Sequence, residues 1–316
     1  MRVLVAGATG VIGRALVPLL TSVGHEVTGL SRSTGRSAFL AGAGARTVVA
    51  DALDAAALDR AVREAAPDAV VHLLTAIPSR LNPRGMPKQF ALTDRLRTEG
   101  TRNLIEAAHR AGARRVITQS VAFAYEPDGD GLANEDTPLW RNPPKQFRRS
   151  LDALRELERR TGDAGGLVLR FGHLYGPGSA FDTDGQFVSQ LRDGKLPLVG
   201  GGSATFSFTH AHDAATAVVA ALDKNTTGVL NIVDNDPARM SEWAPEVARI
   251  LGAPAPKRLP AFVARLVVGG WGTAYMTRLR GADNARARLS LDWRPRHTSW
   301  RTGLAAELNG RVAAAN

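Results

Sequence analysis

The chain has 316 residues, of which 44% are hydrophobic and 22% charged, as is typical of a globular protein with one large α/β domain and a smaller lobe. It contains no cysteine, which excludes disulfides, thiolate metal sites and a cysteine nucleophile, and which favours a cytoplasmic location. The net charge of +10 comes mainly from arginines scattered along the chain without a nucleic-acid-binding motif, and no apolar run approaches a membrane span, so neither nucleic acid nor membrane is expected as a partner.

Short apolar runs alternate with segments of helical periodicity up to about residue 172, which predicts βαβ units and a parallel sheet. The predicted strands are Arg2–Ala6, Glu26–Leu30, Thr47–Ala50, Ala69–Leu74, Arg115–Gln119 and Leu167–Phe171. The predicted helices are Val11–Val23, Ala55–Ala66, Thr93–Ala111 and Leu151–Arg160. The first half, residues 1–175, is therefore expected to be an α/β doubly wound parallel sheet with helices on both faces.

The pattern changes after Tyr175, where loops precede shorter and more widely spaced elements. Residues 176–316 are expected to form mainly a small C-terminal substrate-binding lobe, with some segments returning to the main sheet. Two segments, Gly176–Arg192 and Phe262–Arg280, are predicted to form the substrate mouth. In the second of them, aromatic residues such as Trp271 and Tyr275 either offer flat apolar contacts or pack in the core. The elements predicted in this half are the strand Val229–Val233 and the helices Asp213–Leu222, Glu242–Leu251, Ala261–Val268 and Asn284–Leu289.

A glycine-rich turn lies between the first predicted strand and the first predicted helix. Gly7 permits a tight turn, Gly10 lets the backbone approach a pyrophosphate, and Gly13 lets the helix pack closely on the strand. The helix N-terminus would then face the phosphates with its free N–H groups. The order of strand, glycines and amphipathic helix predicts a Rossmann-type dinucleotide site.

The end of the second strand bears on the choice between the two nicotinamide dinucleotides. NAD enzymes favour a carboxylate there, but this chain has Ser31 followed by Arg32. Arg32 could pair with the 2′-phosphate of NADP, with Arg14 as a second cation and Arg36 as a weaker candidate. NADP is therefore favoured and NAD stays possible, since these arginines could also be ordinary surface residues.

Further cofactor contacts are expected at the carboxyl ends of the other strands. Asp51 is placed to accept a hydrogen bond from the adenine amino group or to cap the next helix, and both roles are compatible. His173, after the sixth strand, is expected near the nicotinamide amide or is simply a loop histidine. The complete predicted cofactor set is Gly7, Thr9, Gly10, Val11, Ile12, Gly13, Arg14, Ser31, Arg32, Asp51, Ala52, Leu73, Leu74, Thr75, Gln119, Ser120, Phe171, Gly172 and His173.

These motifs together resemble the extended short-chain dehydrogenase/reductase superfamily, of the NAD-dependent epimerase/dehydratase type. The resemblance covers nearly the whole chain. It is carried by GATGVIG at residues 7–13, by LRFGHLYGPG at residues 169–178 and by SFTHAHDAA at residues 207–215. In the last motif His210, His212 and Asp213 resemble a structural element of the family, and no metal site is expected.

The catalytic residues of that superfamily are missing from the matching positions. Members carry a Ser or Thr after the fifth strand, then a Tyr and, four residues later, a Lys. Here the Ser/Thr position falls on Val121, or on Ser120 with a one-residue slip, and the other two fall on Phe147 and Leu151. Phenyl and isobutyl groups can neither donate a proton nor hold the nicotinamide ribose by hydrogen bonds.

The resemblance therefore implies an atypical member, similar to actinobacterial reductases that tailor aromatic polyketides of the angucyclinone type. The implied activity is NADPH-dependent reduction of a ketone on a bulky aromatic small molecule, with the proton coming from a substrate phenol or water. Ser120 and Tyr125 are the catalytic candidates within the chain, although each could have a purely structural role. A nucleotide-sugar epimerase or dehydratase, a non-redox isomerase and a catalytically silent NADP sensor are the alternatives. The protein is expected to be a monomer or a homodimer.

Overall fold

The computed structural model describes residues 1–33, 35 and 37–314. Its central feature is a seven-stranded parallel sheet with the strand order β11-β6-β5-β4-β1-β2-β3, and three two-stranded pairs lie outside it. The strands are β1 Arg2–Ala6, β2 Glu26–Ser31, β3 Arg46–Val49, β4 Ala69–His72, β5 Arg115–Val121, β6 Leu167–Phe171, β7 His173–Tyr175, β8 Leu198–Val199, β9 Thr205–Phe206, β10 Phe208–His210, β11 Gly228–Ile232, β12 Ala238–Arg239 and β13 Arg258–Leu259.

Helices cover both faces of the sheet and build the second lobe. They are α1 Val11–Ser22, α2 Ser37–Gly42, α3 Ala55–Ala65, α4 Met86–Gln89, α5 Ala91–Arg95, α6 Thr101–Arg110, α7 Lys145–Asp163, α8 Gln186–Arg192, α9 Ala211–Leu222, α10 Met240–Ile250, α11 Ala261–Thr277, α12 Ala285–Leu291 and α13 Trp300–Ala314. A 3-10 turn at Pro83–Gly85 precedes α4, and a π-helical turn at Leu96–Gly100 joins α5 to α6.

The layering follows from strands that are apolar on both faces. β4 and β6 are buried along their whole length, which requires a helical layer on each side of the sheet. Residues from α1, α9 and α12 pack in the core on one face, and residues from α3 and α6 pack on the other. The predicted fold class, a doubly wound parallel sheet with helices on both faces, is confirmed.

The second lobe has its own aromatic core. Phe206, Phe208 and Trp243 are fully buried there and contact one another. Helix α13 closes this core with Trp300, whose backbone N–H donates to the Asp234 carboxylate at 2.8 Å. β11 also comes from the second half of the chain, and it pairs with β6 at the edge of the main sheet.

Helix α11 is bent rather than continuous. Gly269 has φ 74° and ψ −179°, a conformation open to glycine but not to ordinary residues, and it divides the helix into two arms. A Cβ at Gly269 would lie 2.9 Å from the Gln146 amide nitrogen, so the bend lies against the N-terminus of α7.

Within the described residues, no helix is both long enough and apolar enough to cross a membrane.

Candidate active site

The glycine turn after β1 is packed so tightly that side chains are excluded. Gly7 has φ 93°, and a Cβ there would lie 2.7 Å from the Leu73 carbonyl oxygen. A Cβ at Gly13 would lie 2.3 Å from the Gly7 carbonyl oxygen. Both distances are below van der Waals contact, so the turn, the start of α1 and the end of β4 can meet only because these residues are glycines.

The N-terminus of α1 offers backbone donors at this turn. The N-cap residue is Gly10, which has no side chain to accept from the first-turn amides, and that turn contains no acidic residue. Free N–H groups and the positive end of the helix dipole together suit a pyrophosphate. The turn and the twelve-residue helix α1 therefore fit a dinucleotide cofactor.

The predicted contacts for the far end of such a cofactor lie beside this turn. Arg32 is exposed directly after β2, and the Ser31 hydroxyl donates to the Ser33 carbonyl oxygen at 2.8 Å. Arg14 is also exposed. Its Nε donates to the Thr9 carbonyl oxygen at 3.1 Å, and its guanidinium lies 5.1 Å from the Phe39 ring centroid. Arg36 lies outside the described residues.

The residues predicted after β3 and β4 are placed as follows. Asp51 is exposed, and its Oδ1 accepts from the Leu53 N–H at 3.0 Å, so it caps the following turn. The Ala52 carbonyl oxygen accepts from the Asn103 amide at 3.0 Å. Leu73 is buried against the glycine turn, whereas Leu74 is half-buried and Thr75 exposed.

Ser120 and Tyr125, the two catalytic candidates, are both engaged in buried contacts. The Ser120 hydroxyl donates to Glu158 Oε1 at 2.6 Å, and the same carboxylate binds Arg170. The Tyr125 hydroxyl donates to Asn231 Oδ1 at 2.5 Å, and burial raises the pKa of Tyr125 to about 12. These contacts argue for structural roles, because each hydroxyl proton is already committed to a partner inside the protein.

The positions that align with the missing catalytic residues lie together in an apolar cluster. Phe147 and Leu151 are buried on α7, and the half-buried Val121 packs against the same group. Trp271, from the second arm of α11, stacks on Phe147 with 3.8 Å between ring centroids and 15° between ring planes. These positions therefore present carbon where the resembled enzymes have a phenol and an amine.

His173 lies in an adjoining group of aromatic rings. Its imidazole is 4.7 Å from the Phe123 ring, 4.2 Å from Phe206 and 5.5 Å from Tyr275. Nδ1 is 3.2 Å from the Ser207 carbonyl oxygen, so Nδ1 carries the proton and Nε2 is a buried acceptor with no partner among the described residues. Tyr275 is half-buried and belongs to both this group and the apolar cluster.

Three further residues that were predicted to contact the cofactor lie in or directly after the strands of the main sheet. A Cβ at Gly172 would lie 2.4 Å from the Ser207 carbonyl oxygen, so glycine is required where β6 passes into β7. Phe171 is buried in the sheet core, and Gln119 is half-buried on β5.

Two charged residues that are not evident as site residues from the sequence pattern lie buried near this site. Asp94 on α5 and Arg97 on the π-helical turn are almost wholly inaccessible to solvent. The signal was present in the sequence, because both charges fall within the predicted helix Thr93–Ala111 on the side that carries its apolar residues.

The histidine cluster at the start of α9 is occupied by internal hydrogen bonds. His210, Asp213 and His297 place possible ligand atoms within 4.8 Å of one another. However, His210 Nδ1 accepts from the His212 N–H, and Asp213 accepts from the backbone N–H groups of Arg296 and His297. These contacts cap α9 and fix the loop before α13.

Two buried histidines should make the fold sensitive to acid. Burial lowers the pKa of His72 to about 4 and that of His173 to about 3. An unfolded histidine has a pKa of about 6.5, so the unfolded chain binds more protons below that pH. We expect each histidine to contribute about 2 kcal/mol less to the free energy of unfolding at pH 5 than above pH 6.5. The buried Asp234, whose pKa burial raises to about 8, contributes in the opposite sense, so the comparison of wild type with a histidine variant carries the test.

Urea unfolding above pH 6.5 and at pH 5 measures this change in the free energy of unfolding. His173→Phe, which cannot take up a proton in either state, should remove part of it, whereas the exposed His109→Gln should leave it unchanged. A pH dependence that is identical in the wild type and in His173→Phe would contradict the assignment.

Comparison with known proteins places the chain in a family. The model of the NAD dependent epimerase/dehydratase family matches residues 3–233. A 3-diazoavenalumate denitrifying reductase of a Streptomyces species is 48% identical over 310 residues, which cover 97% of this chain and 100% of the relative.

Solved structures agree with this placement. The UDP-glucose 4-epimerase of Thermotoga maritima with UDP-glucose superposes with a TM-score of 0.79 over 99% of both chains, and at 20% identity it shows the fold alone. Human epimerase family protein SDR39U1 with NADPH has a TM-score of 0.73 at 26% identity and covers 98% of this chain and 99% of its own. The chain belongs to the NAD dependent epimerase/dehydratase family.

Proposed function

We propose that the protein is an NADPH-dependent reductase that removes nitrogen from an aromatic diazonium compound. The single observation that carries this proposal is the apolar cluster of Val121, Phe147 and Leu151, covered by Trp271. It lies where the resembled enzymes place their proton donor. The 48% identical relative supports the reaction class, since its name describes a reductase that denitrifies a diazo compound.

The chemistry explains why a proton donor is dispensable. Reduction of a ketone creates an alkoxide that must be protonated, and a positioned acid contributes about 10²–10⁴-fold to the rate. In reductive denitrification, hydride adds to the ring carbon while the C–N bond breaks, so that ArN₂⁺ and H⁻ give ArH and N₂. The balance includes no proton, and the only other product is the oxidised cofactor.

The bound nicotinamide supplies the hydride. The chain's own residues bind the substrate, orient it and exclude water. The stacked rings of Phe147 and Trp271 offer a flat apolar surface to an arene, and aromatic faces attract a cation such as a diazonium. Exclusion of water also matters because water competes with hydride for the same ring carbon and would give a phenol.

The test is a product analysis with labelled cofactor. The purified protein is incubated with an arenediazonium carboxylate and with NADPH that carries deuterium on the transferable C4 position. We expect the arene to carry deuterium where nitrogen was lost, with one N₂ released per cofactor oxidised. Heat-denatured protein controls for direct reduction by the cofactor. A phenol as the enzyme-dependent product would contradict the proposal, and binding of NADPH without turnover would favour a cofactor sensor.

Ketone reduction is the second candidate, and Tyr275 favours it. No hydrogen bond of its hydroxyl is found among the described residues, and its ring lies 5.5 Å from His173 and 5.6 Å from Trp271. Such a phenol could protonate an alkoxide, as could a phenol on an aromatic polyketide-type substrate or a water molecule. Tyr275→Phe should then slow reduction of an aromatic ketone by about 10²-fold or more without affecting diazonium reduction.

NADP is the proposed cofactor, with NAD still possible, and Arg32 supplies the test. The NADPH in the SDR39U1 structure also supports this choice. Charge-assisted hydrogen bonds contribute about 1.5–3 kcal/mol, so Arg32→Ala should weaken NADPH binding about 10- to 100-fold. NADH affinity should stay within about twofold, since NADH has no 2′-phosphate. Calorimetric titration measures both, with the exposed Arg60→Ala on α3 as the control. Equal losses for both dinucleotides would contradict the assignment.

A further inference from the structure

Asp94 and Arg97 are buried charges that lack adequate partners. The Arg97 side chain is 7% exposed, and its guanidinium makes no hydrogen bond among the described residues. Its one charged neighbour there is Asp94, whose Oδ1 lies 4.0 Å from the guanidinium, too far for a hydrogen bond. Asp94 Oδ1 is itself buried without a hydrogen-bond partner. An acceptor left unbonded in the interior is costly, so a ligand that donates to Asp94 Oδ1 and accepts from the neighbouring Arg97 guanidinium would relieve that cost.

The location of this pair shows which ligand is within reach. Asp94 Oδ2 accepts from the Ser150 hydroxyl at 3.3 Å, and Ser150 directly precedes Leu151, the position of the missing lysine. On the other side, the turn that carries Arg97 is linked to His72, the last residue of β4. His72 Nε2 lies 2.9 Å from the Thr101 hydroxyl, which donates to the Leu96 carbonyl oxygen at 3.4 Å. The pair therefore lies between α7 and the carboxyl end of β4, next to the strand end that contacts the glycine turn.

We propose that Arg97 and Asp94 together hold the hydroxyl groups of the cofactor's nicotinamide ribose. Each hydroxyl can accept from a guanidinium and donate to a carboxylate, which matches one unbonded cation and one unbonded oxygen 4.0 Å apart. In the resembled enzymes the Tyr/Lys pair makes the ribose contacts, and Phe147 and Leu151 cannot. The cation that holds the ribose has thus moved from α7 to the π-helical turn. This inference rests on the proposed use of a nicotinamide dinucleotide, but not on the diazonium substrate.

Binding measurements without any turnover test the assignment. The probes are NADPH and adenosine 2′-phosphate 5′-diphosphate, which retains the adenosine end and both bridging phosphates but lacks the nicotinamide riboside. Arg97→Gln should weaken NADPH binding about 10- to 100-fold, as expected for the loss of charge-assisted hydrogen bonds. Affinity for the truncated nucleotide should stay within about twofold.

Arg97→Gln leaves the buried Asp94 with only the exposed Arg149 as a nearby countercharge, so a second variant guards against misfolding. The double variant Asp94→Asn/Arg97→Gln has no buried charge at this position, and it should show the same selective loss with a normal circular dichroism spectrum. Arg149→Gln is the matched control, because Arg149 lies 3.8 Å from Asp94 Oδ2 but its side chain is 61% exposed. It should leave both affinities unchanged.

Two outcomes would overturn the assignment: full NADPH affinity in the double variant, or an equal loss for both nucleotides. Failure of the diazonium proposal would appear elsewhere, as wild-type protein that binds NADPH yet forms no deuterated arene.

Discussion

A Gly13→Ala variant is expected to lose dinucleotide binding by at least about 100-fold. A methyl group at this position would lie 2.3 Å from the Gly7 carbonyl oxygen and 2.5 Å from the Ala8 carbonyl carbon. Both are backbone atoms that cannot rotate away, so α1 must move off β1 and carry its N-terminal amides out of reach of the pyrophosphate. The loss should therefore be similar for NADPH, NADH and the truncated nucleotide.

Calorimetric titration gives the affinities, and thermal unfolding shows whether the variant is folded. Gly162→Ala is the matched control, since Gly162 lies in helix α7 with no atom within 4 Å of the added methyl group. That substitution should leave binding unchanged and raise stability by up to about 1 kcal/mol, because alanine is the better helix former. NADPH affinity in Gly13→Ala within threefold of the wild type would mean that the glycine turn is not the pyrophosphate site.

Replacing Trp271 by alanine is expected to cost about 3–5 kcal/mol of the free energy of unfolding. The indole is 5% exposed and stacks on Phe147 at 3.8 Å, with the Trp140 ring at 6.1 Å. Its loss leaves a cavity above the apolar cluster and admits water to the proposed substrate site. Any remaining turnover of a diazonium substrate should therefore shift from arene toward phenol.

Urea unfolding and product analysis measure the two effects separately. Trp271→Phe keeps a ring over Phe147 and should recover more than half of the stability and most of the arene product. Phe262→Ala lies in the same helix but removes a residue that is 73% exposed, so it should change stability by less than about 0.5 kcal/mol. A Trp271→Ala protein as stable as Phe262→Ala would show that the indole does not close this cluster.

The sheet and the glycine turn were predictable because local chemistry determines them. β1 and β6 coincide with their predicted bounds, since each is a buried apolar run limited by turn residues. Gly7, Gly10 and Gly13 are recognisable because their spacing is the one required where the start of α1 must pack closely on β1 and on a pyrophosphate. The family resemblance, which rests on these segments, is confirmed.

Elements whose stability comes from distant contacts were missed. Helix α7 begins at Lys145 rather than at the predicted Leu151, because its first turn is mostly polar and depends on packing against Trp271. Helix α13 has weak apolar periodicity and is held by Trp300 in the lobe core and by the Asp234 cap. Neither contact is visible in a local pattern.

The site itself was predictable only in part. Spacing located Phe147 and Leu151, but it could not show that Trp271, far along the chain, stacks on the first of them. For Ser120, the residue was identified from the sequence but the direction of its side chain was not. The one-residue slip left open whether its hydroxyl faces the cleft, and the structure directs that hydroxyl to Glu158 on α7. Both the stacking of Trp271 and the direction of the Ser120 hydroxyl depend on contacts between segments that are distant in sequence.

The bend at Gly269 begins an arm that packs on the apolar cluster through Trp271, Ala274 and Tyr275. The glycine turn proposed to hold the cofactor is formed by other residues, and backbone atoms exclude side chains there at Gly7 and Gly13. We therefore expect exchange of this short segment between homologous reductases to alter substrate range while leaving the glycine turn unchanged.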